Sequence, residues 1–151
     1  MKLISTFLLS LIVLQFVQAK DLSKSLPEKV SMYMQNNYPK ATKIDWIKTN
    51  NHNYNTTVYQ AHFYNDKLLV TIEITPEGLV LAKETEILVK DVPKDLLFFI
   101  QGHKLKFAAV IEYNDEKPVY LLETRYKKQE DFRIFNSTGS VLHIKKHFLL
   151  L

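Results

Sequence analysis

The chain has 151 residues, 20 basic and 16 acidic side chains, 46% hydrophobic residues and no cysteine. That length accommodates one domain with a core of useful size, and the lack of cysteine excludes disulfides, thiolate metal sites and cysteine nucleophiles. Residues 20–100 carry ten basic and ten acidic side chains, and residues 101–151 nine and six, a balance that a solvated surface explains without a polyanionic partner.

Residues 1–19 place Lys2 ahead of an apolar run from Leu3 to Val17, followed by the small-residue site Val17-Gln18-Ala19. This is the pattern of a secretory signal peptide, too short and too interrupted by Ser and Gln for a membrane span. Cleavage after Ala19 is expected to leave Lys20 first, with no lipid-attachment cysteine. A soluble chain in the periplasm or outside the cell follows.

Ser25 is the expected N-cap of a first helix, with Pro27 in its first turn and Glu28 closing a capping box. Leu26, Val30, Tyr33 and Met34 recur at helical spacing, and Tyr38 before Pro39 turns extended. Four strands are predicted next, at Lys43–Lys48, Thr57–Tyr64, Lys67–Ile74 and Leu79–Leu88, with a long polar loop over Thr49–Asn55. Asp91-Val92-Pro93 then repeats the helix start, Leu96, Leu97, Phe99 and Ile100 supply an apolar face, and Gly102 is the expected stop. Strands are predicted again at Lys106–Tyr113, Pro118–Tyr126, Asp131–Phe135 and Val141–Ile144.

The second half repeats the first. Pro27 and Pro93 stand 66 residues apart, whereas Val58-Tyr59 and Val119-Tyr120, Gly78 and Gly139, and Val80 and Val141 all stand 61 apart. The expected fold is therefore α+β: a tandem of two helix-plus-four-stranded antiparallel sheet units, residues 20–90 and 91–151, packed as one compact domain. The five missing residues are expected to come from the first loop of the second unit.

Leu26-Pro27-Glu28-Lys29-Val30, Tyr38-Pro39-Lys40-Ala41, Ile44-Asp45-Trp46, the Pro76-Glu77-Gly78 turn and the Val92-Pro93 restart occur in this order over nearly all of the mature chain. In that order and spacing the sequence resembles the beta-lactamase-inhibitor-like, PepSY-like exported proteins of bacteria. The resemblance implies helices covering one face of antiparallel sheet, a periplasmic or secreted address, and a role in binding or inhibiting other proteins. The second unit departs from the pattern, with Gly102-His103-Lys104-Leu105 for the YPxA exit and no acidic residue in Asn136-Ser137-Thr138. The family offers no catalytic motif to carry over.

The residues themselves give little chemistry. His143 and His147 have helical ligand spacing, but on a strand they lie about 13 Å apart and no acidic residue joins them. No GxSxG, P-loop or dinucleotide glycine pattern is present, and the chain holds only three glycines. Glu84/Glu86 and Glu112/Glu123 read as solvent-facing strand residues. No enzyme activity, cofactor, metal or nucleic acid is expected.

If Tyr59, Ala61 and Phe63 pack beneath the first helix, then Val58, Gln60, His62 and Tyr64 point the other way. The offset of 61 puts Val119, Leu121, Glu123 and Arg125 in matching positions. Gln60, His62, Tyr64, Leu121, Glu123 and Arg125 are therefore the candidate contacts of a non-enzymatic module that recognises an exported or envelope protein through an open sheet face, as an inhibitor would. The alternative is an envelope module that binds a polyanion or small ligand through the basic second unit, at Arg125, Lys127, Lys128, Lys145 and Lys146.

Overall fold

A computed structural model describes residues 22–51, 55–114, 116–136 and 138–142. The expected signal peptide, the His143/His147 pair and Lys145-Lys146 lie outside the described residues.

The chain runs through helix α1 (Glu28–Asn37), strands β1 (Thr42–Asn51), β2 (Thr56–Asn65), β3 (Leu68–Ile74) and β4 (Val80–Glu86), helix α2 (Lys94–Phe98), and strands β5 (Lys104–Tyr113), β6 (Val119–Tyr126) and β7 (Gln129–Asn136). All seven strands of the described residues form one antiparallel sheet whose spatial order is the chain order. Tight two-residue turns join β2 to β3 and β6 to β7, whereas β4 reaches β5 through α2. Between β2 and β3, Asp66 and Lys67 take positive φ of 48° and 73°, the paired left-handed conformation that matches the twist of a two-residue hairpin.

Both helices begin differently from the sequence expectation. Ser25 does not cap α1: it closes a 3-10 turn, Leu22–Ser25, and its Oγ donates to the Leu22 carbonyl. Pro27 takes the cap position, and no side chain caps the helix. Asp91 likewise ends a 3-10 turn, Val89–Asp91, and Pro93 precedes α2 uncapped. The cause is the residue before each proline. Leu26 and Val92 are driven away from helical geometry by the proline ring, which leaves Ser25 and Asp91 too far upstream to reach the first free N–H groups.

The predicted loop Thr49–Asn55 is shorter than expected, because Asn50 pairs with Thr57 and Asn51 with Thr56 in a continued hairpin. The count of residues lost between the halves also moves. Trp46 lies opposite Ala61 and Ala108 opposite Leu122. Since Ala61 and Leu122 are 61 apart, Trp46 and Ala108 are 62 apart. Most of the loss thus falls before β5, where α2 has 5 residues against 10 in α1. The expected continuation to Ile100 is instead a run of tight turns ending at Gly102, where φ is +78°.

Both helices lie on the same face of the sheet. Register connects Ala61 to Ile72 and Ile72 to Lys83, and connects Thr85 to Val110 and Val110 to Tyr120. Val30 and Met34 of α1 pack over Tyr59, Ala61, Phe63, Val70, Ile72 and Ile74. Val92, Leu96 and Ile100 around α2 pack over Ala108, Leu122 and Phe135, and Phe99 stacks on Phe135 at 5.7 Å. Each large apolar side chain so buried stabilises the fold by about 1.5–3 kcal/mol.

The turns that follow β3 and β7 use the same hydrogen bonds. Gly78 N–H donates to Thr75 O at 2.9 Å and Gly139 N–H to Asn136 O at 3.0 Å; Thr75 N–H reaches Leu79 O and Asn136 N–H reaches Ser140 O. Each glycine faces its helix closely. A Cβ on Gly78 would lie 3.3 Å from Lys29 Cβ, and one on Gly139 2.9 Å from the Phe99 ring. Ile74 then pairs with Val80 and Phe135 with Val141. Four strands follow α1. Among the described residues three follow α2, and of the expected strand Val141–Ile144 the described part shows that bridge and the bond from Leu142 N–H to Ile134 O at 2.8 Å.

Candidate interaction surface

The helix-free face takes the alternate residues of every strand. Gln60, His62 and Tyr64 of β2 point to it, as expected, because Tyr59, Ala61 and Phe63 are buried under α1. Gln60 and His62 are half-buried and Tyr64 is 40% exposed. His62 Nδ1 meets Thr71 Oγ1 at 3.0 Å, and burial holds its pKa below the usual histidine value despite nearby Asp45. The imidazole is therefore neutral at physiological pH. Lys43, at a bulge in β1 with φ +53°, lies over the Tyr64 ring at 5.5 Å.

Leu121, Glu123 and Arg125 of β6 share this face but do not join the first three. Four strand spacings separate β2 from β6, about 19 Å. Leu121 requires correction. It is fully buried and packs with Ala109, Ile111, Val119 and Ile134, with Phe107, Tyr113 and Leu142 against them. The β5–β7 half of the helix-free face thus has a core of its own, and Leu121 is part of that core rather than a contact residue. Glu123 is half-buried. Arg125 is exposed and paired with Glu130, whose carboxyl this guanidinium holds below the ordinary range. Among the basic residues of the alternative reading, Arg125 is therefore neutralised locally, while Lys127 lies over Tyr126 at 5.4 Å.

The sequence reading missed the carboxylates of the β1–β4 half. Glu84 is not solvent-facing: only 4% of it is exposed, its Oε2 has no hydrogen-bond partner among the described residues, and burial pushes its carboxyl up. Glu73 is raised by burial and partly relieved by a 3.1 Å bond from Asn51 Nδ2, while Glu86 accepts the Leu69 N–H at 2.9 Å. Asp45 and Ile47 of β1 lie opposite His62 and Gln60, and Ile47 is 44% exposed. The alternation Glu84/Glu86 was visible in the sequence; nothing there gave the depth of Glu84. Glu112, by contrast, is exposed, on the helix side, and paired with Lys83.

Among the described residues no group of three or more His, Asp or Glu is placed to hold a metal ion, and no helix is long and apolar enough to cross a membrane.

No family model and no curated protein matches the sequence. Solved structures share its fold. A candidate periplasmic protein of Bacteroides eggerthii DSM 20697 superposes with a TM-score of 0.64 at 17% identity, covering 78% of this chain and 86% of its own. A DUF2874 family protein of Bacteroides uniformis ATCC 8492 gives 0.61 at 14%, covering 77% and 86%. A BLIP-like protein of Bacteroides fragilis NCTC 9343 gives 0.60 at 19%, covering 80% and 85%. The chain thus has the fold of the DUF2874 and BLIP-like structures: mostly antiparallel sheet with few helices.

Proposed function

We propose that this chain is an exported, non-enzymatic binding module of the periplasm or cell exterior, which recognises a protein partner through the helix-free face of its sheet and acts as an inhibitor or adaptor. It is built as two PepSY-like helix-plus-sheet units, residues 20–90 and 91–151. The matching hydrogen bonds of the Gly78 and Gly139 turns and the matching pairs Ile74/Val80 and Phe135/Val141 support that division. The signal-peptide pattern and the fold shared with candidate periplasmic and BLIP-like proteins support the address.

One observation carries the recognition reading. Both helices are spent on one face, while the β1–β4 half of the other presents Ile47, Tyr64, Gln60, His62 and a set of carboxylates in one rigid layer. Large aromatic and aliphatic side chains beside fixed polar groups are what a protein hot spot is made of. The contact set shifts accordingly from the six residues first expected to Ile47, Gln60, His62 and Tyr64, with Glu123 and Arg125 at the far rim.

The test is retention of a protein from an envelope extract of the source organism on the immobilised chain. It compares wild type, the Ile47→Ala/Tyr64→Ala double variant, and Phe98→Ala on the helix side, where Phe98 is 66% exposed. A retained protein lost only in the double variant supports the reading. Retention indifferent to both variants, or none at all, sinks it.

A further inference from the structure

β1 closes one side of the sheet, and eight of its ten residues are exposed. Among the described residues no backbone group outside the sheet bonds to its outer edge, and the 3-10 turn Leu22–Ser25 comes near without such a bond. The other edge is different: on β7, Leu142 N–H reaches Ile134 O and Asn136 N–H reaches Ser140 O. Proteins blunt exposed edges with short strands, bulges, proline or charge. β1 has a bulge only at its start, between Thr42 and Asp45, and from Asp45 to Asn51 it is regular and free of proline. The β2–β3 hairpin fixes which groups face out. Its two-residue turn makes Asn65 and Leu68 a hydrogen-bonded pair, so Phe63, Ala61 and Tyr59 bond to β3 while His62, Gln60 and Val58 bond to β1. Asp45, Ile47 and Thr49, opposite those three, spend their N–H and C=O groups inward. Trp46, Lys48 and Asn50 turn theirs outward, each with one donor and one acceptor.

We propose that β1 pairs antiparallel with β1 of a second copy of this chain, about a two-fold axis at Ile47, and so joins two seven-stranded sheets into one. An isologous seam of this kind has its axis perpendicular to the sheet, so helix-side residues meet helix-side residues and the free faces stay aligned. Centred on Ile47, the pairing sets Ile47 on Ile47 of the copy, Asp45 against Thr49 and Trp46 against Lys48. Ile47 is 44% exposed, and at the axis it gains an apolar partner in the non-bonded position, where Cα atoms lie about 4.5 Å apart. On the helix side each Trp46 indole receives the ammonium of the copy's Lys48, a side chain that already lies over Tyr59 at 5.7 Å. Neighbouring registers are worse. A centre on Trp46 sets Asp45 against Ile47, one on Lys48 puts two ammonium groups directly opposite, and one on Asp45 does the same with carboxylates. The seam is one strand wide, small beside the roughly 1,200–2,000 Å² of a stable complex, so a weak dimer with Kd on the order of 100 μM is expected. The inference goes beyond the recognition reading and does not rest on it: the dimer sets two helix-free faces side by side, with Ile47 at their join.

The test is sedimentation velocity of the purified protein over a hundredfold range of concentration spanning that Kd, where the sedimentation coefficient should climb from monomer towards dimer. Ile47→Lys, which brings two ammonium groups together at the axis, should hold the chain monomeric throughout. Lys48→Pro, which removes an outward N–H and no bond of the β1–β2 ladder, should do the same. The register is read by cross-linking. The chain has no cysteine, so a single introduced one can bridge only to another copy. Ile47→Cys should give a disulfide-linked dimer under oxidised glutathione, because a non-bonded antiparallel pair falls within the roughly 4.4–6.8 Å between Cα atoms that a disulfide spans. Thr49→Cys, about 13 Å from its counterpart in this register, should not. Should Ile47→Lys fail to fold in urea titration, Lys48→Pro and the two cysteine variants carry the test. A monomer at every concentration, a dimer unmoved by the lysine and proline variants, or cross-linking as ready at Thr49→Cys as at Ile47→Cys overturns the proposal.

Discussion

Leu121 and Leu122 are sequence neighbours with no exposed surface, on opposite faces of the same strand. Substituting each by alanine separates a true core on the helix-free face from a contact surface that is merely shielded. Leu→Ala removes three carbons, about 2.4 kcal/mol of transfer free energy at roughly 0.8 kcal/mol per methylene. The space left behind adds a further cavity penalty, so a loss of about 3 kcal/mol is expected, within the usual range of roughly 2–5. Leu122, beneath α2, sets the scale; Leu121, among Ala109, Ile111, Val119 and Ile134, should match it. Tyr64→Ala, at a position 40% exposed, should cost about 1 kcal/mol or less. Urea denaturation at unchanged m-value reads all three, and the leucine variants should also melt about 6–12 °C lower. A loss of under about 1 kcal/mol for Leu121→Ala, level with Tyr64→Ala, would refute the second core and return Leu121 to the contact surface.

Three further outcomes follow from the same contacts. Burial raises the folded-state Glu84 carboxyl above its unfolded value, so the folded chain holds that proton more tightly and stability falls as pH rises through the window between the two. Glu84→Gln should therefore be more stable than wild type at pH 7, by about 1.4 kcal/mol for each unit of elevation. The gap should close as pH falls toward the ordinary carboxylate range, with a residual slope from Glu73; a gap independent of pH would contradict the assignment. Tyr38, buried against Phe63 and Tyr33, has its phenol pushed up to about 12 from 10.0. Stability should fall between those pH values, where the unfolded chain ionises first, and Tyr38→Phe should flatten that fall in alkaline denaturation curves. Gly139→Ala combines backbone strain at φ +82° with a Cβ 2.9 Å from the Phe99 ring, whereas Gly102→Ala meets nothing within 4 Å at φ +78°. Losses of roughly 2–3 and 1 kcal/mol are expected in urea. Equal losses would mean that the Phe99 ring swings aside at no cost.

The alternation of β2 and β3 made their faces legible, because a half-buried strand separates Ala61 and Phe63 from Gln60 and His62 by position alone. The same logic misplaced Leu121. Val119-Tyr120-Leu121-Leu122 and Phe107-Ala108-Ala109-Val110-Ile111 are continuous apolar runs, the signature of strands buried on both faces. Carrying the outward positions across from β2 ignored that difference. The helix caps were misread for a local reason: the geometry imposed before Pro27 and Pro93 outweighed the capping preference of Ser25 and Asp91. The depth of Glu84 was beyond any local pattern. It arises from which residues β3 and β5 bring alongside, and strand pairing fixes that only in three dimensions.

The division of the helix-free face changes what salt dependence can show. A packed apolar interface should resist salt, and a polyanion bound to basic residues should be released by it. An acidic half-face adds a third case, because a cationic partner docked on it is also weakened by salt, from charges of the opposite sign. Elution alone then cannot separate a protein partner from a polyanion; the sign of the residues that matter can. Asp45 is exposed, lies opposite His62, and has no role in either core. Asp45→Asn should flatten the salt dependence of partner retention and lower the association rate, with little change at high salt. Lys106→Gln, near Glu130 in the basic corner, should leave retention unchanged. If Lys106→Gln flattens the salt response and Asp45→Asn does not, the partner is an anion and the basic second unit is its site.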